Sequence, residues 1–98
     1  MDLNIHGHKT DLGAALTDYI TEKLEPAISK FSNNIVRAEV KYEKDKHNLF
    51  TATIIIHEGD VGKNFVSDFK DADPYAAFNQ ALDKLTAQLR KAKDKKTA

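Results

Sequence analysis

Residues 35–70 read IVRAEVKYEKDKHNLFTATIIIHEGDVGKNFVSDFK, and this stretch decides the fold. Val36, Ala38, Val40 and Tyr42 alternate with Arg37, Glu39, Lys41 and Glu43. A period of two sends the first set to a buried sheet face and the second, of mixed charge, to solvent. A polar turn from Lys44 to Asn48 follows, and then Phe50, Ala52, Ile54 and Ile56 alternate with Thr51, Thr53, Ile55 and His57. The turn Glu58 to Lys63, with Gly59 and Gly62, leads into a last strand. There Phe65, Ser67 and Phe69 face one way and Asn64, Val66, Asp68 and Lys70 the other, so the connection reads as a hairpin. Three successive strands, each apolar on one side only, need a second layer to cover them.

The flanking segments supply that layer. Upstream, Leu3, Ile5 and Gly7 alternate with Asn4, His6 and His8, which predicts a further strand from Asp2 to His8. Thr10, Asp11 and Gly13 offer helix-start chemistry before Leu12, Leu16, Tyr19, Ile20, Leu24, Ala27, Ile28 and Phe31, whose steps of three and four share one helical face. A helix is expected over Leu12 to Phe31, kinked or restarted at Pro26, with Ser32, Asn33 and Asn34 as the break. Downstream, Asp73 followed by Pro74 is a helix start, because the carboxylate accepts from orphan N–H groups and proline at the first helical position sacrifices no bond. Tyr75, Phe78, Leu82, Leu85 and Leu89, with Ala81 and Ala92 alongside, extend that helix from Pro74 to Lys93 or beyond. The order β-α-β-β-β-α places both helices on one face of a four-stranded sheet, an α+β layout related to that of double-stranded RNA-binding domains.

The chain has 98 residues, 41% of them apolar and 31% charged, enough for one modest core and too few for two. Residues 1–95 are expected to form a single domain, followed by a fraying basic tail at 96–98. The absence of cysteine excludes a disulfide framework, a Cys-ligated zinc or iron–sulfur site and thiol catalysis. Apolar runs are too short to span a membrane, and Asp2 follows Met1 where a secretory signal would carry Lys or Arg. A cytoplasmic protein is the expectation. Fifteen basic residues balance fifteen acidic ones, but unevenly: residues 1–78 carry a net charge of −4 and residues 79–98 one of +4. A locally basic C-terminal fifth points mildly to a polyanionic partner, and equally to a lysine-rich last turn that complements the helix dipole.

Catalytic motifs are missing. No G-x-x-x-x-G-K, G-x-G-x-x-G, G-x-S-x-G or H-E-x-x-H occurs, so the reading is of a non-enzyme without a cofactor. His6 and His8 share a strand face that His57 or Glu39 could join, a weak pointer to a divalent metal that solvated strand histidines explain as well. The open sheet face lacks the aromatics that stack RNA bases. The cations of the second helix (Lys84, Arg90, Lys91, Lys93, Lys95, Lys96) and of the first (Lys23, Lys30) could instead form one basic surface that tracks RNA phosphates. Helical partners such as Glu22 or Glu25 offer Lys23 and Lys30 an alternative use.

The chain resembles the ribosome hibernation promoting factor family over nearly its whole length. Leu3, Asn4, Ile5 and Gly7 with Asp11, Leu16, Lys23 and Phe31 are similar to the family's first strand and helix. Asp73, Tyr75, Ala76 and Ala77, then Asp83, Lys84, Leu85, Gln88, Leu89, Lys91, Lys93, Asp94 and Lys95, follow its D-x-Y-x-A and K-L-x-x-Q-L-x-K patterns. Pro26 and Ala87 stand where the family usually has basic residues, Arg90 adds one nearby, and Asn79 replaces a frequent Asp.

The resemblance implies a protein that enters the channel between head and body of the small ribosomal subunit, occupies space needed by mRNA and tRNA, and silences translation in stationary or starved cells. The family's basic residues carried over, Lys23, Lys84, Lys91, Lys93 and Lys95, are implied to face 16S ribosomal RNA phosphates, and Lys30, Gln88 and Arg90 complete the expected rRNA-binding set. The length resembles that of short members, which favour pairing of inactive ribosomes with the help of a second small factor. Two other readings stand beside this one: a protein-interaction module modulating an alternative sigma factor, and a generic binder of structured RNA. Off its partner the protein is expected to be a monomer, since Ile55 and Val66 are the only apolar residues left on the open sheet face.

Overall fold

The computed structural model describes residues 2–8, 10–59 and 62–97, with side chains up to Ala92. Its elements are β1 (Asp2–His8), α1 (Gly13–Ser29), β2 (Ile35–Lys44), β3 (Phe50–Glu58), β4 (Lys63–Asp71) and α2 (Pro74–Thr97). The strands form one sheet in the order β1-β2-β3-β4. β1 runs parallel to β2, which requires a crossover that α1 provides, whereas β2, β3 and β4 are antiparallel neighbours. Both helices cover the same sheet face. Leu16, Ile20, Leu24 and Ile28 of α1 and Phe78, Ala81, Leu85 and Leu89 of α2 close over Ala38, Val40, Tyr42, Ala52, Ile54, Ile56 and Phe65 in one core.

Local chemistry explains the helix boundaries. The Asp73 carboxylate accepts from the Tyr75 N–H at 2.9 Å and its carbonyl from Ala77 N–H at 3.0 Å, the expected start of α2. Tyr42, fully buried on β2, donates its hydroxyl to the Pro74 carbonyl at 2.8 Å and ties that start to the sheet. Burial, reinforced by the Asp73 charge, pushes the Tyr42 phenol well above its ordinary pKa. Helix α1 begins at Gly13, one residue later than the periodicity implies, and Gly13 takes a φ of +73° that would strain a side chain. Asp11 accepts from the Gly13 N–H at 3.2 Å. The helix runs on through the exposed Pro26 without a restart and ends at Ser29, so Phe31 packs against the core from the following turn.

Two expectations about the strands are corrected. Val36 is 59% exposed, not buried, because the β2–β3 register shifts between Ile35 and Arg37. The bulge leaves Val36 unpaired and turns Ile35 toward the core in its place. Glu58 is not a turn residue but the buried end of β3, where its carboxylate accepts a hydrogen bond from the Ser32 hydroxyl. It continues the Ile54, Ile56 alternation onto the covered face, a signal the sequence carries. The backbone of α2 reaches Thr97; the side chains of residues 93–97 and all of Ala98 lie outside the described residues, and with them the expected tail at 96–98.

Candidate nucleic-acid interface

Helix α2 runs antiparallel to β4 along the edge of the sheet. Every residue turns the helix by about 100°, so positions 84, 88 and 91 share the flank that faces this edge, and position 90 lies on the flank toward α1. Gln88 donates Nε2 to the Val66 carbonyl at 2.9 Å, and Lys84 donates Nζ to the Asp68 carbonyl at 2.8 Å. Both carbonyls belong to the free side of an edge strand, the row of unpaired groups that invites another chain. Two of the residues expected to face RNA therefore also close the sheet edge, each with one of its donors.

The remaining cations are disposed differently. Lys91 and Arg90 are exposed, and Lys91 stands with Gln88 beside Lys63, Asn64 and Phe65 at the start of β4. Lys63 holds its ammonium 5.3 Å from the centroid of the Phe65 ring. On α1, Lys23 lies 5.8 Å over the Tyr19 ring, and Lys30 is the exposed C-cap residue. The Tyr19 ring meets Tyr75 edge-on at 4.9 Å, and its hydroxyl donates to Asn79 Oδ1 at 2.8 Å, which fixes α1 against α2. Among the described residues, Lys23, Lys30, Lys84, Arg90 and Lys91 form no ion pair with a carboxylate, so the Glu22 or Glu25 partners are not used. Lys93 and Lys95 belong to α2, and their side chains lie outside the described residues.

The opposite sheet face has another character. His57 Nε2 lies 3.9 Å from Glu39 Oε2 and 3.1 Å from Arg37 Nη2, so acidic and basic side chains are interleaved there. His6 and His8 register with Lys41 and Glu43 of β2, and among the described residues no group of three or more His, Asp or Glu side chains could hold a metal ion. No described helix is long and apolar enough to cross a membrane.

Sequence reasoning missed Lys63, although it shares the strand parity of Phe65 and so leaves the sheet on the helix side. It placed the polar turn between β2 and β3 but not the bonds that order it. There Asp45 Oδ1 accepts from the N–H groups of His47 and Leu49 at 2.8 and 3.1 Å, and Lys70 approaches its other oxygen at 3.4 Å.

The geometry defines a two-layer α+β domain in which α2 carries exposed cations along the sheet edge. The family model described as Sigma 54 modulation protein / S30EA ribosomal protein matches residues 3–97, and the chain belongs to this family. It is 33% identical over 96 residues to the ribosome hibernation promoting factor of Salmonella typhimurium, covering 97% of this chain and 96% of that one. Its identity to the factor of the same name from Pseudomonas putida is 35%, over 97% and 89% of the two chains. The N-terminal domain of Thermus thermophilus Protein Y superposes with a TM-score of 0.80 at 24% identity, over 93% of this chain and 98% of that one. A ribosomal subunit interface protein from Coxiella burnetii gives 0.79 at 20% identity, over 96% and 99%. At these identities the two structures share the fold.

Proposed function

We propose that the protein is a ribosome hibernation factor that binds the small ribosomal subunit through 16S ribosomal RNA, using the basic helix α2, and holds the ribosome silent during starvation. The observation that carries this reading is the exposed pair Arg90 and Lys91, in no ion pair among the described residues, on a segment of net charge +4. Helix α1 contributes less: its Asp18, Glu22 and Glu25 outnumber Lys23 and Lys30. Phosphate contacts from Lys and Arg position a protein on RNA without requiring base recognition, which suits a plug that blocks a channel. The names of the relatives, ribosome hibernation promoting factor and ribosomal subunit interface protein, support the same partner. The family is one of ribosome-binding proteins rather than enzymes. Pairing of silent ribosomes with a second small factor, a cytoplasmic location and a monomeric free state complete the proposal.

Sedimentation of lysate from starved cells tests it. The protein is expected in small-subunit and ribosome fractions at low salt and to leave them as salt rises. Recovery only near the top of the gradient at every salt concentration would instead favour the sigma-factor module or the generic RNA binder.

A further inference from the structure

We infer that the cleft between the start of β4 and the C-terminal half of α2 is a phosphate-holding subsite for structured RNA, with Lys63 and Lys91 as its paired cations; this rests on the function proposed above.

Lys63, Asn64, Phe65, Gln88, Lys91 and Ala92 enclose a cleft of about 350 Å³. Its position follows from register. Lys63 is the first residue of β4, pairs with Glu58, and has the parity of the buried Phe65, so its side chain leaves the sheet on the helix side. The ring beneath it, 5.3 Å from Nζ, keeps the ammonium at the cleft instead of letting it swing into solvent. Among the described residues no carboxylate forms an ion pair with Lys63 or Lys91. Lys91 and Gln88, one turn apart on α2, supply the opposite wall.

The donor set suits a phosphodiester. Gln88 commits one amide N–H to the Val66 carbonyl at 2.9 Å, which fixes the side chain and leaves its second N–H to donate. Asn64 adds an amide at the rim. Two ammonium groups can flank the single charge of a phosphodiester, and the neighbouring amides can hold its second oxygen or an adjacent ribose hydroxyl. Lys84 is anchored to the Asp68 carbonyl at 2.8 Å and does not line the cleft. Lys63 supplies a cation to it from the sheet.

The test is small-subunit binding measured over a series of salt concentrations for the full chain and for Lys63→Gln, Lys91→Gln and Lys41→Gln. Lys41 is exposed on the opposite sheet face and serves as control. Lys63→Gln should weaken binding about fivefold near 0.15 M salt and flatten the log–log salt slope by roughly 0.7 to 0.9, the loss of one neutralised phosphate. If Lys63→Gln binds like Lys41→Gln while the parent binds and Lys91→Gln is weakened, the subsite is refuted and the proposed function stands. If the parent fails to bind small subunits, the proposed function falls. Amide chemical shifts on adding a short RNA duplex then decide the cleft alone: changes centred on Lys63, Asn64, Gln88 and Lys91 sustain it, and their absence overturns it.

Discussion

Lys84 Nζ and the Asp68 carbonyl oxygen are 2.8 Å apart, so a lysine whose sequence pattern marks it for RNA is a staple across the open edge of β4. Replacing Lys84 with Glu would disturb two things at once, and a loss of ribosome binding would not report on phosphate contact alone. The informative variant reverses Arg90 and Lys91 together. Both are exposed, and exposed substitutions usually change stability by no more than about 0.5 kcal/mol each. The double Arg90→Glu, Lys91→Glu variant is expected to melt like the parent by circular dichroism yet lose small-subunit binding. Lys84→Ala is expected to keep most of the binding while losing about 0.5 kcal/mol or slightly more of stability, as the edge carbonyl returns to water.

Removing the Tyr42 hydroxyl tests what orients α2. Tyr42→Phe leaves the ring in the core and deletes the bond to the Pro74 carbonyl, 2.8 Å away, so chemical denaturation should show a loss of about 1 kcal/mol. Leu85→Ala, at a fully buried position of the same helix, should cost about 3 kcal/mol through lost transfer energy and the cavity left behind. The two losses should separate cleanly; a Tyr42→Phe cost equal to that of Leu85→Ala would mean that the hydroxyl does more than hold one carbonyl.

The β2–β3 turn should respond to acid. The Leu49 N–H first, then the His47 N–H and the Lys70 ammonium, hold the Asp45 carboxyl below its ordinary range. For a carboxyl depressed in the folded state, the stabilisation is complete above the unfolded value, near 3.9, and is lost as pH falls through the lower folded value. The amide resonances of His47 and Leu49 are therefore expected to titrate with a midpoint below the ordinary carboxylate value. In Asp45→Asn that titration should vanish. A midpoint at or above the ordinary carboxylate value would contradict the assignment.

A monomer is expected from the surface. Among the described residues, Val36 and Val66, at 59% and 49% exposure, are the large apolar side chains most open to solvent, and they lie on different strands. A stable dimer needs a broader apolar patch than these provide. Light scattering at tens of micromolar should give the mass of one chain, and a dimer that survives high salt would overturn this.

The sheet and both helices were legible because their signals are periodic and independent. The Val40, Tyr42 and Ile54, Ile56 alternations and the Phe78, Leu82, Leu85, Leu89 stripe all find the core they imply. Val36 was misplaced because a single inserted residue reverses strand parity, and only the pairing partner reveals the insertion. The basic residues were legible as a set but not as individuals. Spacing puts Lys84 and Lys91 on one flank of α2, but it cannot reveal that the Asp68 carbonyl lies within reach of the first and a cleft shared with Lys63 beside the second. The buried Ser32–Glu58 contact joins two segments that each read as turns, so neither alone hints at the other.

The parallel pairing of β1 has a consequence for how the chain is made. Asp2 lies opposite Arg37 and His8 opposite Glu43, and β1 has no other strand beside it. Strands β2 to β4 are joined by short turns and can zip through local contacts, whereas β1 must first close a loop that contains all of α1. During synthesis β1 leaves the ribosome before β2 and has nothing to bond to until Ile35–Lys44 has followed it out. Of the four strands, the one translated earliest is the one completed latest, and its amides should be the first of the sheet to exchange with solvent, ahead of any opening of β2–β4.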